Sequence, residues 1–253
     1  MLKITNLQKS FQDNLGHSVE VFKDFNLEIS GGEFLAIFGP NGCGKTTLLN
    51  LIAGIDKADD GKIIFDDPKT KIAFIFQNYR ESLFPWLNVI DNISYPLKLQ
   101  GIPEEKRHVQ VKNLCEQFGV QINFENYPYT LSGGQQQLAT ILRALITKPD
   151  IILLDEPFSS LDYQTTLFML NKTQEIWQET GITFIFVSHD IDEAIFLSQR
   201  LILLSKKPTM IAKEVNNILP YPRTTHIMGM PEFSRLKHEA LDVFIKQVNN
   251  KTL

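Results

Sequence analysis

Three groups of glycine and polar residues in this 253-residue chain have the types and spacing to handle a phosphorylated ligand. The first is Gly39-Pro40-Asn41-Gly42-Cys43-Gly44-Lys45-Thr46-Thr47, which follows the apolar run Phe34–Phe38. Through Thr46 it fits G-x-x-x-x-G-K-[ST], a loop that wraps phosphates between a strand and a helix. Glycines let backbone N–H groups turn inward to phosphate oxygens, and the helix that follows aims its positive N-terminal end at the same anion. In such a loop Lys45 reaches the β- and γ-phosphates and the Thr46 hydroxyl holds Mg²⁺, so the expected ligand is a nucleoside triphosphate.

The second group is Asp155-Glu156, two carboxylates leaving the end of the apolar run 151–154. Ligands of open α/β sheets bind at the carboxyl ends of the strands, where the phosphate loop also lies. Asp155 is placed to hold Mg²⁺, directly or through water, and Glu156 to polarise the water that attacks the γ-phosphate. The third group is Leu131-Ser132-Gly133-Gly134-Gln135, ahead of a helical pattern at 136–145. Ser132 reads as an N-cap, and the glycines free backbone N–H groups for an anion. One nucleotide needs one phosphate loop. The second anion-binding helix start is therefore either plain capping or a face for a nucleotide held across a dimer.

The elements that must position these groups follow from periodicity. Short apolar runs at 34–38, 72–76, 151–154, 182–187 and 201–204 alternate with helical patterns and read as buried parallel strands. Ahead of the phosphate loop, 2–7 and 19–29 look like antiparallel strands joined across Asp13-Asn14-Leu15-Gly16. From 89 to 145 strand signals vanish and helices take over. One is expected at 104–118, with Val111, Leu114 and Phe118 on one stripe, Pro103 at its first turn and Gly119 just past its end. At 231–248, Phe233, Leu236, Leu241, Phe244, Ile245 and Val248 form an amphipathic helix expected to dock on the same molecule. The boundaries expected are 1–219 for the main domain, with a helical subdomain at about 89–145, and 220–253 for a C-terminal arm and helix.

A net charge of −4 argues against a dedicated nucleic-acid binder. Cys43 and Cys115, the only cysteines, suggest neither a disulfide framework nor a metal cluster. No stretch approaches eighteen consecutive apolar residues. A soluble cytoplasmic protein is the expectation.

Taken together, the phosphate loop, Gln77 after the run 72–76, Leu-Ser-Gly-Gly-Gln at 131–135, Asp155-Glu156, Ser159-Ser-Leu-Asp162 and His189 resemble, in order, the ATP-binding-cassette ATPases. The resemblance covers essentially the whole chain. It implies an α/β fold of the P-loop NTPase class: an ABC-type nucleotide-binding domain with an antiparallel β subdomain and a helical subdomain. By resemblance, Phe11 stacks on adenine, and Gln77 contacts Mg²⁺ and the attacking water. Ser132, Gly133, Gly134 and Gln135 clamp the γ-phosphate bound to the opposite subunit. Asp162 links the two sites, and His189 touches the γ-phosphate. The cofactors implied are ATP and Mg²⁺. One departure is Leu138, where the family usually has an Arg.

Asn78 through Val89, with Leu-Phe84-Pro-Trp86 at its centre, resembles a segment of importer ATPases for nitrate, sulfonates, taurine and bicarbonate. In those it forms the groove that receives a helix of the membrane subunit. Phe84 and Trp86 either anchor such a partner or cover the core beneath a loop. Leu219-Pro-Tyr-Pro-Arg223 and Met230-Pro-Glu-Phe233 resemble the C-terminal arm of the same group. The partners implied are a second copy or a related cassette, transmembrane permease subunits and a solute-binding protein, with the chain peripheral on the cytoplasmic face of the inner membrane. The alternative is a soluble scaffold or assembly ATPase with no membrane partner.

Overall fold

The computed structural model describes residues 2–13 and 15–249. Two sheets organise the chain. The first has three strands in the order β2 (Ser18–Ile29), β1 (Leu2–Gln12) and β4 (Asp60–Phe65), with both pairings antiparallel. Asn14 of the expected turn lies outside the described residues. On either side of it, Asp13 Oδ1 accepts from the N–H groups of Leu15 and His17, each at 2.8 Å, and closes the hairpin.

The second sheet has six strands, ordered β5 (Ile72–Ile75), β6 (Ile151–Asp155), β7 (Thr183–Ser188), β3 (Phe34–Phe38), β8 (Arg200–Leu204) and β9 (Ile211–Asn216). Neighbours run parallel except β9, which pairs antiparallel with β8. All five residues of β3 and of β6 are buried, as a strand covered on both faces requires. Their alternation divides the core in two. Phe34, Ala36, Ile152 and Leu154 face the larger, helix-covered cluster, while Leu35, Ile37, Ile151 and Leu153 face α1 (Lys45–Ile52) and the antiparallel sheet.

Register sets the chemistry. Ile75 pairs with Leu154, Asp155 with Val187 and Phe38 with Ser188. The carboxyl ends of β5, β6, β7 and β3 therefore lie side by side, and the residues just beyond them converge.

The stretch at 89–145 carries three helices: α3 (Val89–Leu99), α4 (Glu104–Gln117) and α5 (Gly133–Leu145). A four-residue helix, α2 (Tyr79–Ser82), precedes them. Pro103 takes the N-cap position of α4 with extended ψ of 146°, so the helix starts at Glu104 as expected, and it ends at Gln117, one residue early, with Phe118 as its C-cap. Leu138 is buried in the core, and Arg143 one turn on donates to Ser82 O at 2.7 Å, tying α5 to α2. After β6 come α6 (Tyr163–Thr180) and, beyond β7, α7 (Ile191–Leu197).

The C-terminal segment is laid onto this frame. Arg223 is 1% exposed, and its Nη1 donates to the carbonyls of Ile195, Phe196 and Ser198 at 2.7, 3.0 and 2.8 Å, which the end of α7 leaves without helical donors. In α8 (Pro231–Asn249), Phe233, Leu236 and Ala240 are buried, and the Phe244 ring lies 5.2 Å from that of Phe38. Ile245 and Val248 do not join that contact and stay exposed. Two other expectations need adjusting. Phe76 leaves the sheet and stacks on Phe74 at 4.2 Å, and the strand expected from 182 starts at Thr183, after the left-handed Gly181.

Candidate functional site

The phosphate loop folds as the spacing requires. Gly44, the N-cap of α1, has φ +115°, and a Cβ there would lie 2.6 Å from Val21 Cγ1, so conformation and space both demand glycine. The first turn of α1 carries no acidic residue, leaving its N–H groups and dipole for an anion. Lys45 is buried, and its Nζ donates to Gly39 O at 2.9 Å and Pro40 O at 3.4 Å, which aligns the ammonium along the loop. The Cys43 side chain is buried too, so this residue offers a ligand only its backbone.

A cleft of about 470 Å³ opens over the loop. Asn41, Gly42, Gly44 and Lys45 through Thr47 form its floor, with Phe11 on one side and Gln77 and Glu156 on another. Phe11 is 44% exposed, and the Lys9 ammonium lies 4.9 Å from its ring centroid.

Glu156 has φ +45°, a sparsely populated conformation for a residue with a side chain and one that clusters at functional sites. The turn brings its carboxylate back over the strand ends. Gln77 Nε2 donates to Glu156 Oε2 at 3.1 Å, and His189 Nδ1 lies 3.0 Å from the same oxygen. The cap of α7 is Asp190, which accepts from Asp192 N and Glu193 N, so His189 is left to face Glu156.

Asp155 is 4% exposed, and its Oδ1 has no hydrogen-bond partner. Burial pushes its carboxyl up from the ordinary range, and the hydrogen bond from Thr46 pulls the other way. A buried carboxylate with a spare oxygen beside a threonine hydroxyl suits a hard divalent cation. Among the described residues no group of three His, Cys, Asp or Glu gathers.

Ser132, Gly133, Gly134, Gln135 and Asp162 do not line this cleft. Ser132 caps α5 in a reciprocal box: its Oγ accepts from Gln135 N at 3.3 Å, and Gln135 Oε1 accepts from Ser132 N at 3.0 Å. A Cβ on Gly134 would meet Thr165 Cγ2 at 2.5 Å. Thr165 in turn donates its N–H and hydroxyl to Asp162, the cap of α6, at 2.9 and 2.6 Å. The capped start of α5 and Asp162 thus form one unit, separate from the phosphate cleft of the same chain.

Sequence reading missed Lys207, which lines the cleft from the β8–β9 turn, and Glu193 behind His189. Only the fold brings either one to the site. Glu193 Oε2 accepts from the Ser188 hydroxyl at 2.6 Å, and Ser188 Oγ accepts from Asp190 N at 2.9 Å, a chain that brackets His189. Burial, helped by the charges of Asp190 and Glu156, pushes the Glu193 carboxyl from 4.5 to about 7. A raised carboxyl favours the folded state fully below pH 4.5, and that contribution fades as pH rises through about 7. Glu193→Gln should remove this dependence. Urea titrations from pH 4.5 to 8 should show the parent losing up to about 3 kcal/mol relative to the variant. Parallel curves would contradict the buried, proton-holding carboxyl.

The chain matches the family model described as ABC transporter over residues 22–159. It is similar to the aliphatic sulfonates import ATP-binding protein SsuB of Bacillus cereus, with 39% identity over 239 residues, 92% of this chain and 93% of that protein. It is also similar to the nitrate import ATP-binding protein NrtD of Synechocystis sp., with 39% identity over 250 residues, 94% of this chain and 92% of that one. Among solved structures, the ATP-binding cassette MJ0796, a dimer in a post-hydrolysis state bound to ADP and Pi, superposes with a TM-score of 0.74. Identity there is 31%, covering 87% of this chain and 100% of the other.

Proposed function

This chain belongs to the ABC transporter family, and from that premise we propose that it is the ATP-hydrolysing subunit of an importer. Two copies, or this chain and a related cassette, pair head to tail. Each nucleotide then lies between residues 39–47 of one copy and 132–135 of the other. The observation that carries this reading is the separation, within one chain, of the phosphate cleft from the capped start of α5.

Phe11 stacks on adenine, the loop amides and Lys45 hold the phosphates, and Glu156 draws a proton from the attacking water. Gln77 and His189 meet on one Glu156 oxygen and fix its direction, the positioning that phosphoryl transfer needs. Thr46, Gln77 and Asp155 would hold Mg²⁺, which would supply charge neutralisation at the phosphates. ATP favours the closed pair because only there does the nucleotide touch both copies, and loss of the γ-phosphate lets the pair reopen.

Coupling to a membrane partner runs through the segment after β5. Trp86 is 70% exposed, so it does not serve as a cover for the core. Phe84 is half-buried behind it, its ring 5.4 Å from Trp86 and 4.6 Å from Tyr95. Asn92, fully buried, accepts from Phe84 N at 2.8 Å and donates to the carbonyls of Phe84, Leu87 and Asn88, which stiffens the presenting loop. A rigid loop with an exposed aromatic anchor suits a short partner helix. No described helix is long and apolar enough to cross a membrane, so permease subunits supply the path. The chain then sits peripherally on the cytoplasmic face of the inner membrane. The solute proposed is a small oxyanion or zwitterion of the nitrate, sulfonate, taurine or bicarbonate type, delivered by a solute-binding protein.

The test is recovery of the tagged chain from membranes of its own host in mild detergent. A multi-spanning partner at near-equal stoichiometry is expected, and Trp86→Ala should lose most of it while keeping ATPase activity. Recovery with soluble partners alone would indicate an assembly ATPase.

A further inference from the structure

The turn between β8 and β9 reaches the phosphate cleft, although it lies well outside the matched residues 22–159. Its ends are closed on each other: Ser205 N donates to Met210 O at 3.0 Å, and Met210 N to Ser205 Oγ at 2.9 Å. Thr209, wholly buried, pins the turn to the site. Its hydroxyl donates to Cys43 O inside the phosphate loop, and its N–H to Val21 O at 2.7 Å. The turn and the phosphate loop are thereby one rigid assembly.

Two adjacent lysines leave this turn in different directions. Lys206 donates to Val248 O at 2.7 Å, against α8. Lys207 lines the cleft with Lys45, Thr46 and Phe11. Among the described residues it has neither a carboxylate nor a hydrogen-bond partner. Its charge is felt inside the loop, since it draws the Cys43 thiol down against the upward push of burial, as Lys45 does.

An unpaired ammonium on a turn bolted to the phosphate loop is set for an anion that arrives with the ligand. The geometry points to Lys207 as a further nucleotide-binding residue, its ammonium meeting the phosphate chain of a nucleoside triphosphate. This assignment rests on the reading that the cleft takes such a nucleotide. The contact is charge-assisted but lies at an exposed rim, so it should contribute roughly five- to tenfold in affinity.

Calorimetric titration of the full chain with Mg·ATP tests it. Lys207→Met keeps the apolar stem and removes the charge, and should weaken binding roughly five- to tenfold. Lys207→Arg should stay within about twofold of the parent. The parent's affinity should also fall more steeply with salt than that of the Met variant. Thermal midpoints without nucleotide should agree, because Lys207 makes no hydrogen bond or ion pair within the described chain. Equal ATP affinity in parent and Lys207→Met would overturn this assignment and leave the nucleotide site standing. So would a lowered midpoint with equal losses in the Met and Arg variants. A parent that binds no ATP would overturn the nucleotide reading itself.

Discussion

Glu156→Gln is expected to bind ATP as the parent does while turnover falls by a factor on the order of 10² to 10⁴, the range a positioned base supplies. Glutamine keeps the shape of the side chain and an oxygen that can accept the 3.1 Å hydrogen bond from Gln77 Nε2, so the site should stay assembled. What disappears is the carboxylate that takes a proton from water. With the γ-phosphate no longer removed, the nucleotide goes on bridging two copies, and dimer should accumulate in Mg·ATP on a sizing column. Turnover equal to the parent's would remove Glu156 from the role of base.

Ser132→Arg is the second large effect. Ser132 is exposed and lies outside its own chain's cleft, so ATP affinity measured on dilute protein should not change. The cap on Gln135 N is lost, worth about 1 kcal/mol of stability. The larger consequence falls on the partner's nucleotide, because a long cationic side chain obstructs the approach of the α5 terminus. Displacement of even 1 Å from a reacting geometry costs about a hundredfold, and turnover should drop at least that far. Ser132→Ala separates the two effects, since it removes the cap without obstruction and should retain most activity. Full turnover in Ser132→Arg would refute the two-sided site.

Features written in contiguous residues are legible in the sequence alone. The phosphate loop, the Ser132 cap, the buried strand at 34–38 and helix α1 each need only local spacing, and they fold as that spacing dictates. The order of Gln77, Glu156 and His189 along the chain is legible as well. Their meeting on a single carboxylate oxygen is not, because it depends on the register of β5, β6 and β7.

The elements that escape a sequence reading have weak or mixed patterns. Half-buried β4 alternates between exposed and intermediate residues, and its apolar run is only Ile63-Ile64-Phe65, yet it completes the antiparallel sheet beside β1. Edge strand β9 buries only Val215. Lys207 resembles any exposed lysine until Thr209 binds the phosphate loop. The stripe on α8 runs past the surface it docks on, so Ile245 and Val248 keep helical periodicity without burial. Arg223 carries no sequence sign that its partners would be the carbonyls at the end of α7.

Everything proposed for catalysis depends on a nucleotide site completed only by a second copy. The deciding measurement is the specific ATPase activity of the purified parent chain, followed from protein concentrations well below to well above that at which dimer forms. Activity per chain should climb with concentration and level off as the dimer saturates. A constant activity per chain, maintained at dilutions where only monomer is detected, would contradict the two-copy site.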